Sequence, residues 1–283
     1  MAKTDVAVAV EEKVTAVVAA TAADAGVWGD YAGQGMEGTD KDSFAIPFLQ
    51  LLQKSSPAVD EDAPEYIKGA KAGMLMNSVS KQLFDGKAGV TIIPCSYKRT
   101  FIQWGGIESK DSGFKGEFTP EQIESMQQSG VILNIGGRLY KPNADGTVQE
   151  KVNDVYVDTR THFVLIIDAE GNTSQAILNL SSTQVKKSKA LMTMLSQNKI
   201  TLADGRKVSP PTFANIVTVH TIPESNDKGS WSGIQFTLAG LIEDKQLFDE
   251  AKSFYAAVTS GAVKVDQSKS TESAEAAAQS DKF

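Results

Sequence analysis

The chain has 283 residues, 41% of them apolar and 22% charged, with a formal net charge of −7, an ordinary balance for a globular protein in water. No apolar run approaches the roughly 20 residues that a membrane-spanning helix needs, so no membrane partner is expected. One cysteine, Cys95, and two histidines, His162 and His220, leave too little for a disulfide framework or a zinc centre and fit a reducing, cytoplasmic setting.

Residues 1–42 are rich in Ala, Val, Gly and Asp without sustained periodicity and read as a disordered acidic segment. Glu11 and Glu12 interrupt its apolar run and Asp5 stands where an export signal carries cations, so export is not expected. Residues 43–260 read as one folded body. GMLMNSVSKQLF (73–84) predicts the approach to a hairpin, and GVTIIPCSYKRTFIQW (89–104) a long strand bent or bulged at Pro94. TPEQIESMQQ predicts a helix capped by Thr119 with Pro120 in its first turn. GGRLYKPNADGT reads as a strand and a turn, and RTHFVLIIDAEGNTSQAILNL (160–180) as a hairpin around DAEGN. SSTQVKKSKALMTMLSQNK predicts a helix with Val185, Leu191, Met192 and Leu195 on one face. TFANIVTVHTI (212–222) and WSGIQFTLAGLI (231–242) predict a strand pair joined by a polar loop. EDKQLFDEAKSFYAAVTSG predicts a helix that buries Leu247, Phe248, Ala251, Phe254, Tyr255 and Val258 and stops at Gly261. Residues 261–283, mostly Ser, Ala and charge, read as a flexible tail.

Antiparallel hairpins with few helices predict a mainly β, α+β class. The expected architecture is an elaborated antiparallel barrel of oligonucleotide-binding (OB) type with two or three helices and disordered termini. A β-sandwich fits the same strand count. Charge does not decide between partners. Residues 1–44 hold three lysines against eight carboxylates and residues 261–283 three against four, so the body between them carries only −1. Such a body can still present a local basic face.

The strand 89–104 begins as core and ends with aromatics among cations. Alternation places Tyr97, Arg99, Phe101 and Gln103 on one face and Lys98, Thr100, Ile102 and Trp104 on the other. Rings beside cations suit a single nucleic-acid strand, because each stacked base contributes about 1–3 kcal/mol without sequence preference. An amphipathic strand with cations stretched along a sheet edge explains the same pattern. Arg138, Tyr140 and Lys141 repeat the theme in GGRLYKP, and Trp231 reads as loop-borne in KGSWSG. In the helix after Ser181, Ser182 and Thr183, any of which could cap it, Lys186, Lys187 and Lys189 fall in the first two turns. Cations there oppose the helix dipole, an arrangement that an anion over the helix start would reverse. A solvated lysine face is the plain alternative.

Catalytic signals are weak. There is no GxSxG elbow and no GxxxxGK[ST] loop. Each histidine lies in an apolar β-type run and reads as a core or sheet-face residue. Asp154, Asp158, Asp168 and Glu170 are the carboxylates that a nuclease reading would gather around Mg²⁺, and EDK (243–245) has a nuclease-like spacing. However, turn and helix-start preferences explain these positions equally well.

GQGMEGTDKDSFAIPFLQLLQKSSPAV followed by AGMLMNSVSKQLFDGKAGVTIIPCSYKRTFIQW resembles the opening of a group of tailed-phage proteins found among replication genes and described as single-stranded DNA-binding. The resemblance covers roughly residues 33–104. It implies an OB-type fold, coating of single strands in replication or recombination, and no catalysis, cofactor or metal. Such proteins often end in an acidic tail closed by Phe that docks replication proteins. Here Phe283 follows QSDK, in which Asp281 is the only acid. The expected function is therefore non-specific binding of single-stranded DNA by a phage protein in the host cytoplasm. Tyr97, Phe101, Trp104, Tyr140 and Trp231 would stack, and Lys98, Arg99, Arg138, Lys141, Lys186, Lys187 and Lys189 would meet phosphates. A β-sandwich virion or assembly protein is the alternative, and a metal-dependent nuclease comes third.

Overall fold

The computed structural model describes residues 34–38, 45–227 and 229–270. The chain divides into two units, residues 1–44 and 45–283. Of the first, residues 34–38 form turns; the remainder of the segment expected to be disordered lies outside the described residues.

In the second unit, two long strands form the spine. β4 (Val90–Gly105) and β8 (Val155–Ile167) pair antiparallel from Thr91↔Ile167 to Trp104↔Val155, with one register shift between Pro94 and Ser96. The expected bend is therefore a bulge. Proline cannot donate to the ladder, and the extra residue lets the strand pass it. That residue, Cys95, is buried, and burial pushes its thiol up to about 12.

Other strands extend each edge of the spine. β8 turns into β9 (Thr173–Ser181) where the Asp168 carboxylate accepts the backbone N–H groups of Glu170 and Asn172 at 3.0 and 2.7 Å. β12 (Asn215–Asn226) joins β4 at Val217–Val219 and pairs along its length with β13 (Gly229–Leu241). At the far end, β5 (Gly113–Phe118) adds to β4, and β6 (Leu133–Ile135) and β7 (Arg138–Tyr140) add to β8. Together these eight strands make one curled half-barrel, giving a mostly antiparallel, OB-like α+β fold. One continuous sheet replaces the two facing sheets of the sandwich alternative. The pair over 212–242 has no long polar loop: both strands run on to Asn226 and Gly229, so Trp231 is strand-borne opposite Glu224.

Three α-helices lie among the described residues: α1 (Pro120–Gln128), α2 (Val185–Gln197) and α3 (Lys245–Thr259). α1 starts with the expected Thr119 cap, reinforced by the Thr119 N–H donating in return to Gln122 Oε1 at 2.8 Å, a capping box. Even-numbered residues of β8 point to one face and odd-numbered ones to the other. On the even face, Val164 and Ile166 join Val90, Ile92, Leu178, Leu180, Val217, Val219 and Ile234 against Leu191 and Leu195 of α2. On the odd face, Phe163 and Leu165 join Ile93, Cys95 and Ile177 against Ala251 and Phe254 of α3.

A small sheet of β1 (Leu49–Leu51), β2 (Leu75–Asn77) and β3 (Leu83–Phe84) spans the half-barrel edges. At one edge, Pro47 accepts the Ile177 N–H of β9 at 2.8 Å. At the other, the Gln53 side chain exchanges two 2.9 Å bonds with the Ser232 backbone of β13. A two-residue hairpin, β10 (Ile200–Thr201) with β11 (Lys207–Val208), was not expected from the sequence. The tail boundary also moves. Val263 and Val265 pack on the α3 cluster, and Gln267 is buried and accepts from Asn179 at 2.9 Å, so the folded body reaches Ser270.

Closure depends on a tight crossing at Gly86. Its carbonyl accepts the Thr221 N–H at 2.8 Å. A Cβ there would stand 2.2 Å from both the Gly73 oxygen and the Thr221 hydroxyl. Gly86→Ala is therefore expected to lower folding stability by about 1–3 kcal/mol through overpacking, read as a lower urea midpoint. An unchanged midpoint would show that the small sheet adapts.

Candidate nucleic-acid interface

Between the two core clusters of the even face, β4 and β8 carry polar side chains. Arg99 lies directly opposite Arg160, with Tyr97 opposite His162 and Phe101 opposite Asp158. Like charges directly across a ladder repel. Asp158 resolves the conflict: its Oδ1 accepts Nε of Arg99 at 3.2 Å and of Arg160 at 2.8 Å, and its Oδ2 accepts Nη2 of each at 2.9 Å. Arg160 also donates Nη1 to the Tyr97 hydroxyl at 2.9 Å. Burial works against the Asp158 charge, but hydrogen bonds from Arg99 and Arg160 outweigh it and hold the carboxyl below its ordinary range. Burial likewise opposes the Arg160 charge, and the bonds to Asp158 and Tyr97 outweigh it. Behind them the Tyr97 ring lies 5.1 Å from His162, whose Nε2 is 2.8 Å from Ser188 Oγ of α2.

Asp158 opens onto a cleft of about 410 Å³ lined in part by Phe101, Arg138, Leu139, Ser182 and Val185. The cleft exists because β7 pairs with β8 only at Val155 and Tyr156, whereas β9 pairs from Thr159 onward. Val157 and Asp158 thus lack a ladder partner on that edge. Ser182 takes a left-handed φ of 48° where the chain leaves β9 for the turn that leads into α2. None of Ser181, Ser182 and Thr183 caps α2; Gln184 holds the cap position without a side-chain capping bond, its Oε1 instead accepting the Ile234 N–H at 3.4 Å, and the first turn has no acid. The helix start therefore has no side-chain cap and continues from the 3-10 turn Ser182–Gln184, with Lys186 and Lys189 exposed. Lys187 is half-buried and pairs with Glu224 at 2.5 Å, and Glu224 also accepts Trp231 Nε1 at 2.9 Å. Gly233 makes room for that carboxylate, which a Cβ would meet at 2.4 Å.

Burial corrects several expectations. Phe101, Trp104 and Tyr140 are 8, 2 and 1% exposed, so their rings cannot stack on bases. The alternation of faces holds, but both faces are covered at this end. Phe101 packs with Ile123, Ile132, Leu139 and Tyr156, and Trp104 and Tyr140 pack with Ile102, Val155 and Val157. Lys98 is exposed on the opposite face and pairs with Glu117 at 2.8 Å. Arg138 is half-buried, donating to Tyr140 Oη at 3.4 Å, and Lys141 is exposed beyond β7. Phe283 lies outside the described residues. The carboxylates do not gather: Asp154 accepts from Lys115 and Gln103, each at 2.7 Å, and Asp244 caps α3. Among the described residues no three potential metal ligands come together. No described helix is long and apolar enough to cross a membrane. Arg160 escaped the sequence reading. The available signal was a cation inside the strand run RTHFVLII, two residues from an acid.

Two measurements follow. Phe101→Ala and Trp104→Ala are each expected to cost about 3–5 kcal/mol of folding stability, as large-to-small core changes do; intact stability would return these rings to the surface. His162 is pushed down to about 4 by burial, with the Arg160 charge adding to the effect, from an ordinary 6.5. The unfolded chain then takes up the proton first. Stability should be full above pH 6.5 and fall toward pH 4 by on the order of 3 kcal/mol. Urea midpoints of the parent and His162→Gln across that window should converge as pH falls, and parallel curves would contradict the burial argument.

The chain belongs to the Pam3 phage gp34-like protein family, whose model matches residues 12–264. No curated protein and no solved structure matches it.

Proposed function

We propose that this phage-family protein binds single-stranded DNA without sequence preference during phage replication or recombination, as a non-enzymatic protein of the host cytoplasm. The observation that carries the reading is the grouping of cationic side chains around the start of α2. Arg138 lines the cleft, Arg99 reaches it through Asp158, and exposed Lys186 and Lys189 follow Val185 of the cleft wall. A 3-10 turn, Ser182–Gln184, leads into α2, with the Val185 N–H donating to the Ser182 carbonyl; the support is the cations beside the positive end of the helix, which favour phosphate. The OB-like half-barrel suits an extended strand but does not by itself imply one. With Phe101, Trp104 and Tyr140 in the core, stacking falls to the half-buried Tyr97 and Trp231. Binding is then mainly electrostatic. Docking of replication proteins through Phe283 belongs to the same proposal.

Titration with fluorescent poly-dT and with duplex DNA at two salt concentrations tests the reading. Affinity should be higher for the single strand and should fall steeply with salt, each lost phosphate contact flattening the log–log slope by about 0.7. Lys186→Gln with Lys189→Gln should flatten it by about two such steps, roughly 1.4, without loss of thermal stability, because both removals relieve the helix dipole. Lys187 stays in place because it holds Glu224. Absence of poly-dT binding at about 50 mM salt, where phosphate contacts are strong, overturns the proposal.

A further inference from the structure

We propose that Arg99 and Arg160 form a phosphate seat that the chain keeps filled with its own carboxylate, Asp158 standing where a phosphate group binds. The nucleic-acid source of that phosphate rests on the function proposed above; the seat does not.

Three observations carry it. The first is the donor set. Two guanidinium forks converge on one carboxylate through four N–H···O bonds of 2.8–3.2 Å, two to each oxygen. Planar forks of this kind match the oxygens of phosphate as well as those of a carboxylate. The second is the surplus cation. Arg160 with Asp158 and Tyr97 is already a satisfied group at 8% exposure. A second arginine directly opposite adds repulsion that a neutral residue at 99 would avoid. The third is access. Arg160 is held at the back, whereas the side chains of Arg99 and Asp158 are 40 and 28% exposed. Arg99 lies 5.2 Å over the Phe101 ring, and its Nη1 makes no hydrogen bond among the described residues. Asp158 lines the cleft on the stretch of β8 that lacks a ladder partner. The other acids nearby are Glu121, at the start of α1 beside Arg99, and Glu150 on the cleft wall. Neither reaches the forks.

The carboxylate therefore acts as an internal competitor. It keeps the buried cation paired while the seat is unliganded, and an arriving phosphate replaces it.

Melting temperatures in inorganic phosphate and in chloride at matched ionic strength test the seat, using the parent, Asp158→Asn, and Asp158→Asn combined with Arg99→Gln. Asp158→Asn should melt lower than the parent in chloride and regain much of the loss in phosphate. The parent, with its seat filled, should respond little, and the double variant, with one fork left, should lose the rescue. Equal phosphate responses in the parent and Asp158→Asn overturn the seat. An Asp158→Asn chain that folds in neither buffer does so too, since phosphate then fails to replace the carboxylate. Poly-dT titration distinguishes the source. A strand phosphate in the seat predicts tighter binding by Asp158→Asn, because the strand no longer has to displace the carboxylate. Phosphate rescue with unchanged poly-dT affinity assigns the seat to free phosphate. Rescue in a protein whose parent form binds no poly-dT leaves the seat standing and removes the single-strand function.

Discussion

From Thr91↔Ile167 to Trp104↔Val155, β4 and β8 stay paired through a single bulge, and nearly every other element is placed by that ladder. Each residue on it must choose one of two faces, so four hydrophobic clusters form in pairs, one pair at each end of the strands. α2 and α3 cover opposite faces at the bulged end, and α1 covers one face at the other. The partners differ along each edge: β12 then β5 on β4, β9 then β7 on β8. Where one partner stops before the next begins, the sheet leaves the gap that becomes the cleft.

The middle of the ladder is where burial and polarity conflict. On the even face, Asp158, Arg160 and His162 lie between two apolar clusters, with His162 fully buried and Arg160 nearly so. Buried charge is tolerated only when paired and hydrogen-bonded, and these groups are: carboxylate to two guanidiniums, guanidinium to phenol, imidazole to the Ser188 hydroxyl. The network ties the spine to α2 and ends at the cleft. The odd face answers the same problem with hydroxyls and amides, Thr161 bonding Asn179 and Asn179 bonding Gln267 of the C-terminal segment.

Net charge said little about the local field of the folded body, because most of it belongs to residues 1–44 of the sequence. Three lysines against eight carboxylates in residues 1–44 account for most of the −7. The folded body is near neutral, and the placement of a few cations governs its local field. Lys98, Lys115 and Lys187 are taken up by Glu117, Asp154 and Glu224. Arg99, Lys186 and Lys189 face outward near one cleft.

Much of the fold was legible in the sequence because it depends on local rules. Period-two runs located β4, β8, β9, β12 and β13. Pro94 marked the bulge, Thr119 and Pro120 the start of α1, and DAEGN the turn between β8 and β9. The two-face assignment of Tyr97, Arg99 and Phe101 against Lys98, Ile102 and Trp104 also followed from alternation alone. Alternation says which residues share a face but not what covers it. α1 and the β6–β7 hairpin come from residues about 20 to 40 positions further along the chain, and their packing turns Phe101 and Trp104 from a stacking surface into core. The role of Arg160 escaped for the same reason. Its meaning depends on Arg99 standing opposite it across the ladder, a register set by the bulge and by burial of both strand ends. Local periodicity determined the elements. Only long-range pairing decided which charges meet, because contact between residues 61 positions apart has no trace in the neighbourhood of either.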